Sequence, residues 1–290
     1  MRKMFQRPAF FILILNFSLL PVFADLFHPL NLVHDHGSTI PERIEVPFKF
    51  KRVKTEQGSF AEYIRNYPLK NADSPLLLFN DRKKENQEAH AAIFSLPVEN
   101  QEFQNSSGSI IKLYAEYKYK NLQEDQLSFH LINGSEFKWT DWLEKSKAKR
   151  ELRTDIAGNL KKWTEYENPQ DKRKVFDKYL KNILSNTDIL SMQIYDSEPT
   201  TFEDIQIGDI LMDMANHKHV CLVVDICINP ETMEKAVLLA QGNSPAQEFH
   251  IIKNPKREND PWYHEEDFMI PAQTPEYVFP KDSWRKLNYR

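Results

Sequence analysis

His219-Val220-Cys221-Leu222-Val223-Val224-Asp225-Ile226-Cys227 is the stretch whose reading settles the fold class. Alternation along a strand puts His219, Cys221, Val223, Asp225 and Cys227 on one side and Val220, Leu222, Val224 and Ile226 on the other. The second set is an unbroken apolar face and is expected against a core; the first begins with a histidine and is more polar. Around this strand the texture repeats in short β segments, Ile207 to Met212, Lys235 to Gln241 and Glu248 to Lys253. Asn229-Pro230-Glu231-Thr232 and Gly242-Asn243-Ser244-Pro245 between them are turn chemistry. Connections this short favour antiparallel pairing, so an antiparallel β-meander is expected at the C-terminal end.

Upstream the pattern is mainly helical. Ser59-Phe60-Ala61-Glu62 has capping-box spacing and predicts a helix to about Tyr67, ended by Pro68. Ser106 to Lys120 is helical by the spacing of Ile110, Ile111, Tyr114 and Tyr117, and Thr140 to Arg150 is a helical stretch that should bury Trp142 and Leu143. Asp171 to Asn186 carries one apolar stripe of Val175, Phe176, Tyr179, Leu180, Ile183 and Leu184. Short strand candidates lie at Leu76 to Phe79, Ala91 to Leu96 and Phe129 to Ile132, the last closed by an Asn133-Gly134 turn. Helices with short strands followed by a sheet read as α+β.

The 290 residues carry 38 Lys and Arg against 42 Asp and Glu, and 41% hydrophobic with 28% charged residues is a globular balance. Met1 to Ala24 reads as an export signal, with Arg2, Lys3 and Arg7 at its start, an apolar stretch from Ala9 to Leu20 and a Val22-Phe23-Ala24 exit. A membrane span needs about 20 apolar residues, and Asn16, Ser18 and Pro21 interrupt this one. The expected organisation is therefore signal peptide 1–24, leader 25–44 and a single domain 45–290. Without a cysteine at the cleavage point the product is not expected to be a lipoprotein; it is expected to be soluble, in the periplasm or secreted. Loss of the three basic residues of the signal takes the formal charge from −4 to −7, which disfavours nucleic acid as a partner.

Two cysteines cannot build a Cys-rich zinc site or a disulfide-dense scaffold. Cys221 and Cys227 lie about 20 Å apart along an intact strand, against the roughly 7 Å limit for disulfide α-carbons, so both are expected as free, buried thiols. His217 and His219 with Asp209 or Asp213 form a feasible metal set, but the spacing alone assigns no metal, and no cofactor is expected. His34-Asp35-His36 is expected as a polar loop. A turn from Ile228 to Lys235 sets His219 opposite about Ser244 and gathers Gln241 and Asn243 near it. An amide from a neighbouring strand is a common way to hold an active imidazole.

Gly208-Asp209-Ile210-Leu211-Met212, the His219 to Asp225 strand, Leu238-Leu239-Ala240-Gln241 and Pro245-Ala246-Gln247 together resemble a bacterial exported family, domain of unknown function 4846. Phe60 to Arg65, Asn86-Gln87, His90-Ala91-Ala92, Ala115-Glu116-Tyr117, Asn133-Gly134, Trp142 and His250 are similar as well, so the likeness spans roughly residues 45 to 280. More distantly, the Gly-Asp strand followed by a His-led strand resembles the papain-like barrel of cell-wall amidases and endopeptidases of the NlpC and P60 type. That likeness implies a cysteine at the start of a preceding helix, with the strand histidine as its base. In chain order Asp171 to Asn186 takes the place of that helix, and it has no cysteine. Two further departures are Lys218, where the family has a glycine before the histidine, and Gly242, where it has a serine.

Two functions follow as expectations. One is an exported hydrolase of envelope peptide or amide bonds, with His219 as base, Gln241 or Asn243 orienting it, and Asn86, Gln87, His90, Gln247 and His250 as binding candidates. The alternative is a non-catalytic papain-like envelope protein that binds cell-wall peptide or glycan, with Trp139, Trp142, Trp262 and Tyr263 as stacking surfaces.

Overall fold

The computed structural model describes residues 31–98, 103–146 and 169–289. The export signal read over 1–24 lies outside these residues, as does the end of the helical stretch read from Thr140 to Arg150. In chain order the first elements are α1 (Ile40–Arg43), β1 (Lys51–Arg52), α2 (Phe60–Arg65), β2 (His90–Ile93), α3 (Ser106–Lys120), β3 (Ser128–His130) and β4 (Glu136–Lys138). A helix over 139–146 (α4), α5 (Pro169–Asn186) and α6 (Ile189–Tyr195) follow. The C-terminal strands are β5 (Ser197–Pro199), β6 (Ile210–Asp213), β7 (His219–Ile228), β8 (Lys235–Gln241), β9 (His250–Ile252), β10 (Tyr263–His264), β11 (Ala272–Gln273), β12 (Val278–Phe279) and β13 (Trp284–Leu287).

The protein is α+β, built on a nine-stranded sheet ordered β2-β9-β8-β7-β6-β13-β5, with β1 beside β7 and β10 beside β8. β6 to β9 pair in chain order as the antiparallel meander that the short turns predict. β7 is buried from His219 to Cys227. Its first side is therefore covered as fully as its apolar side.

One irregularity in β7 changes the register. Asp225 pairs with Leu238 and Val223 with Leu239, which leaves Val224 as the extra residue of a β-bulge. A one-residue slip exchanges the faces of all that follow, so the grouping of His219 with Asp225 and Cys227 on one side fails beyond Val223. The contacts agree: Arg52 of β1 and Arg65 of α2 bind Asp225, whereas β8 and the segment after β11 hold His219. Continued outward from Leu222 and Ala240, the same pairing sets His219 opposite Asn243 instead of Ser244.

α3 is the helix laid on β7 and β8, while α5 packs on α3. In chain order α5 takes the place of the helix that the papain-like likeness implies, but α3 is the one of the two that lies on the sheet. Every residue from Ser106 to Ala115 is buried, and a helix covered on all sides is a central one. α5 has a single buried stripe of Val175, Phe176, Tyr179, Leu180, Ile183 and Leu184, which suits an outer layer.

Smaller corrections concern the loops. Leu76 to Phe79 makes isolated bridges, Leu77 to Lys83 and Leu78 to Gln247, and no strand. α2 ends at Arg65, with Ser59 accepting from the Glu62 amide as its cap, while Glu62 reaches back to the Gly58 amide. Trp139 takes the buried place expected of Trp142 and Leu143, which are half-buried. The stretch read as a leader is, from residue 31, packed into the body: Leu32, Ile40 and Ile44 are buried, and Arg43 bonds the carbonyls of His36, Gly37 and Lys70. Among the described residues no helix is long and apolar enough to cross a membrane.

Candidate functional site

His219 opens β7 directly after a tight turn. Asp213, at the end of β6, closes that turn by accepting the amides of Ala215, Asn216 and His217 at 2.9, 3.1 and 3.0 Å. Lys218 completes it at φ 50°, left-handed backbone that favours glycine. A lysine holds this conformation where a glycine would do so without strain. Asp209 is engaged in the same way, accepting the amides of Gln206 and Leu287. With both carboxylates turned to backbone, His217 and His219 have no third ligand from them, and among the described residues no group of three His, Cys, Asp or Glu suits a metal ion.

The His219 side chain is 3% exposed. Its Nε2 lies 2.8 Å from Gln241 Oε1, and the Gln241 amide nitrogen donates to Glu276 Oε2 at 2.8 Å. Asn243 donates to the same carboxylate oxygen at 3.3 Å and accepts from the Tyr277 hydroxyl at 2.6 Å. Lys84 pairs with the other oxygen of Glu276. The Tyr277 ring stacks on the His219 ring, 3.9 Å between centroids and 21° between planes. Because the Gln241 nitrogen faces a carboxylate, its oxygen faces His219, and the imidazole donates from Nε2. Among the described residues no hydrogen bond engages Nδ1.

Burial pushes His219 down to about 4, partly offset by the Gln241 hydrogen bond and the Glu276 charge. His250, fully buried on β9 beside Gln241, is pushed down to about 3 by the same desolvation. Both rings are therefore neutral at pH 7. Cys221 is also fully buried, 3.6 Å from Gln241 Oε1, and burial pushes its thiol up. A thiol held protonated inside the sheet is no nucleophile. Cys227 is likewise free and buried.

Of the candidates read from the sequence, His219, Gln241, Asn243 and His250 thus lie in one network. Asn86, Gln87 and His90 lie elsewhere, lining a cavity of about 900 Å³ with Lys253, Arg257 and His34. Asn86 accepts the Glu88 amide, and Gln87 clamps its own loop by bonding Leu76 and Lys84 backbone. His90 is one link between the two places, its ring 6.3 Å from that of His250; Gln87, bonded to the Lys84 carbonyl, is another. Gln247 is buried with its amide nitrogen lacking a partner among the described residues, and it joins neither group. Lys84, Glu276 and Tyr277 were missed. They sit in loops, where nothing periodic marks a side chain as inward, and Pro275-Glu276-Tyr277 matches no motif.

The family model described as domain of unknown function 4846 matches residues 40–286. The chain belongs to this family. No curated protein and no solved structure matches it. Glycine at 242 has a steric reason: a Cβ there would lie 2.2 Å from Ser109 Oγ and 3.0 Å from the Asn105 carbonyl oxygen. In this member of the family the start of α3 occupies the space that a serine side chain at 242 would need.

Proposed function

We propose that the protein is an exported hydrolase of envelope peptide or amide bonds, with His219 Nδ1 as the general base. The supporting observation is the neutral imidazole that Gln241 holds through Nε2, which leaves the lone pair on Nδ1. Cys221 is inert, so the attacking group is a water. Nδ1 takes the water proton as the oxygen adds to the carbonyl carbon. The same proton passes to the departing amine as the carbon–nitrogen bond breaks. Tyr277 covers the ring, so its side chain has to swing aside, with Glu276 staying on Gln241, before a substrate reaches Nδ1. The meander with a His-led strand and α3 laid across it supports a papain-like origin for this arrangement.

The non-catalytic reading is weaker on a specific point. Trp139, Trp262 and Tyr263 are buried, and the polar ends of the last two bond the carbonyls of Glu45 and Lys253. They offer no stacking surface to a glycan or peptide; Trp142, the fourth candidate, is half-buried and packs on Phe137 and Tyr179. The test is turnover of peptidoglycan fragments by the purified protein. Wild type is expected to release products, and His219→Ala to lower the rate by about 10²-fold or more. Absence of turnover by both proteins ends the reading.

A further inference from the structure

We propose that Glu276 and His250 are positioning residues that keep the proton of His219 on Nε2 by locking the side-chain amide of Gln241. The proposal rests on the reading of His219 as a base and adds what makes Nδ1 the basic atom. A glutamine amide is nearly symmetric in shape, and a half-turn exchanges its oxygen and its NH₂ group at little steric cost. With the oxygen toward His219, the ring donates from Nε2 and keeps its lone pair on Nδ1. With the NH₂ toward His219, Nε2 must accept, the proton moves to Nδ1, and the basic atom is lost. Gln241 alone does not choose between these states.

Its neighbours choose. Glu276 Oε2, 2.8 Å from the amide nitrogen, belongs to a carboxylate paired with Lys84, and an ionised carboxylate only accepts. On the other side, His250 Nδ1 lies 2.9 Å from the Glu248 carbonyl oxygen, which also only accepts. His250 therefore carries its proton on Nδ1 and turns the lone pair of Nε2 toward the Gln241 nitrogen, at 3.5 Å. A half-turn of the amide would set its oxygen against the Glu276 carboxylate and the His250 lone pair together. Glu276 makes the shorter, charge-assisted contact and is the principal lock; His250 is the secondary one. A hydrogen bond to a charged group favours one orientation by about tenfold or more. Glu276 lies in the 274–277 turn that also covers His219 with Tyr277, so docking of that turn and the tautomer of His219 are coupled.

The test reads the tautomer directly. Full-length protein labelled with ¹⁵N-histidine is observed by long-range ¹H–¹⁵N NMR, and the His219 signals are assigned by their loss in His219→Gln. Wild type is expected to show the proton on Nε2. Glu276→Met is expected to shift the ratio at least tenfold toward the Nδ1 form, and Glu276→Asp to restore it in part. Where Glu276→Met fails to fold because Lys84 is left unpaired, the Lys84→Met/Glu276→Met pair gives the same readout without the orphaned cation. A wild-type proton on Nδ1, or a folded variant lacking the carboxylate with an unchanged tautomer, overturns the proposal. No substrate is needed, so an inactive wild type with the expected tautomer strikes the hydrolase reading alone. An active wild type with a tautomer indifferent to Glu276 strikes this one alone.

Discussion

The two ends of β7 bury ionisable groups in opposite ways. Toward the C-terminal end, Asp225 meets Arg52 at 2.6 Å through one oxygen and Arg65 at 2.6 and 2.9 Å through the other. Both of its oxygens are saturated by guanidinium groups from β1 and α2. At the N-terminal end, His219 meets an amide and an aromatic ring, and burial keeps it neutral. A saturated ion pair has no capacity left for a ligand, and its role is to join elements. A neutral imidazole tethered at one nitrogen keeps a usable lone pair at the other. The contrast separates a structural polar group from a chemical one on the same strand.

The largest expected effect that tests this contrast is on pH dependence. His219 and His250 have folded values near 4 and 3 against an ordinary 6.5. Above about 6.5 both are neutral folded and unfolded, and stability is full. As pH falls from 6.5 through 4 the unfolded chain binds protons that the fold refuses, and stability drops by on the order of 3 kcal/mol per histidine. Urea unfolding across this window is expected to show a shallower drop for His219→Gln and for His250→Asn than for wild type. Parallel curves would show that burial does not keep these rings neutral.

Next in size is the other end of the strand. Arg65→Met leaves Asp225 buried with Arg52 as its one cation, and is expected to destabilise by about 3 kcal/mol in urea at pH 7. It is also expected to leave the His219 tautomer unchanged, because Arg65 takes no part in the Gln241 network. A loss under about 1 kcal/mol would show that the pair is not the structural clamp described above. The smallest effect is at the turn before His219. Lys218→Gly relieves a left-handed residue and is expected to stabilise by about 0.5 to 1 kcal/mol, read as a rise in Tm. A fall in Tm would mean that the lysine side chain does more than tolerate the turn.

Much of the frame was legible in local pattern. β7, β8 and α3 fall within the bounds that alternation and helical spacing predict, since their apolar repeats and the turns between them are short-range signals. The bulge at Val224 was not legible, because an apolar run with Val223 beside Val224 reads the same with or without an extra residue. That single residue moved His219 from Ser244 to Asn243 and separated it from Asp225. Choosing α5 as the helix on the sheet failed for a related reason: its clean stripe is the mark of an outer helix, while α3, buried on every side, has a blurred pattern.

His219, Gln241 and His250 could be named from the chain because three neighbouring strands carry them, and Asn243 because it follows β8 directly; strand pairing follows from turn chemistry. Lys84, Glu276 and Tyr277 could not, since they come from irregular segments whose direction is set by packing against distant parts of the molecule. The covalent order thus dictated the α+β class, the meander and the histidine at its mouth, all consequences of short-range periodicity. The tautomer of that histidine, its cover and its separation from the charged end of its own strand came from long-range contacts. Those arise only when a bulged sheet brings loops far apart in the chain onto one buried polar row.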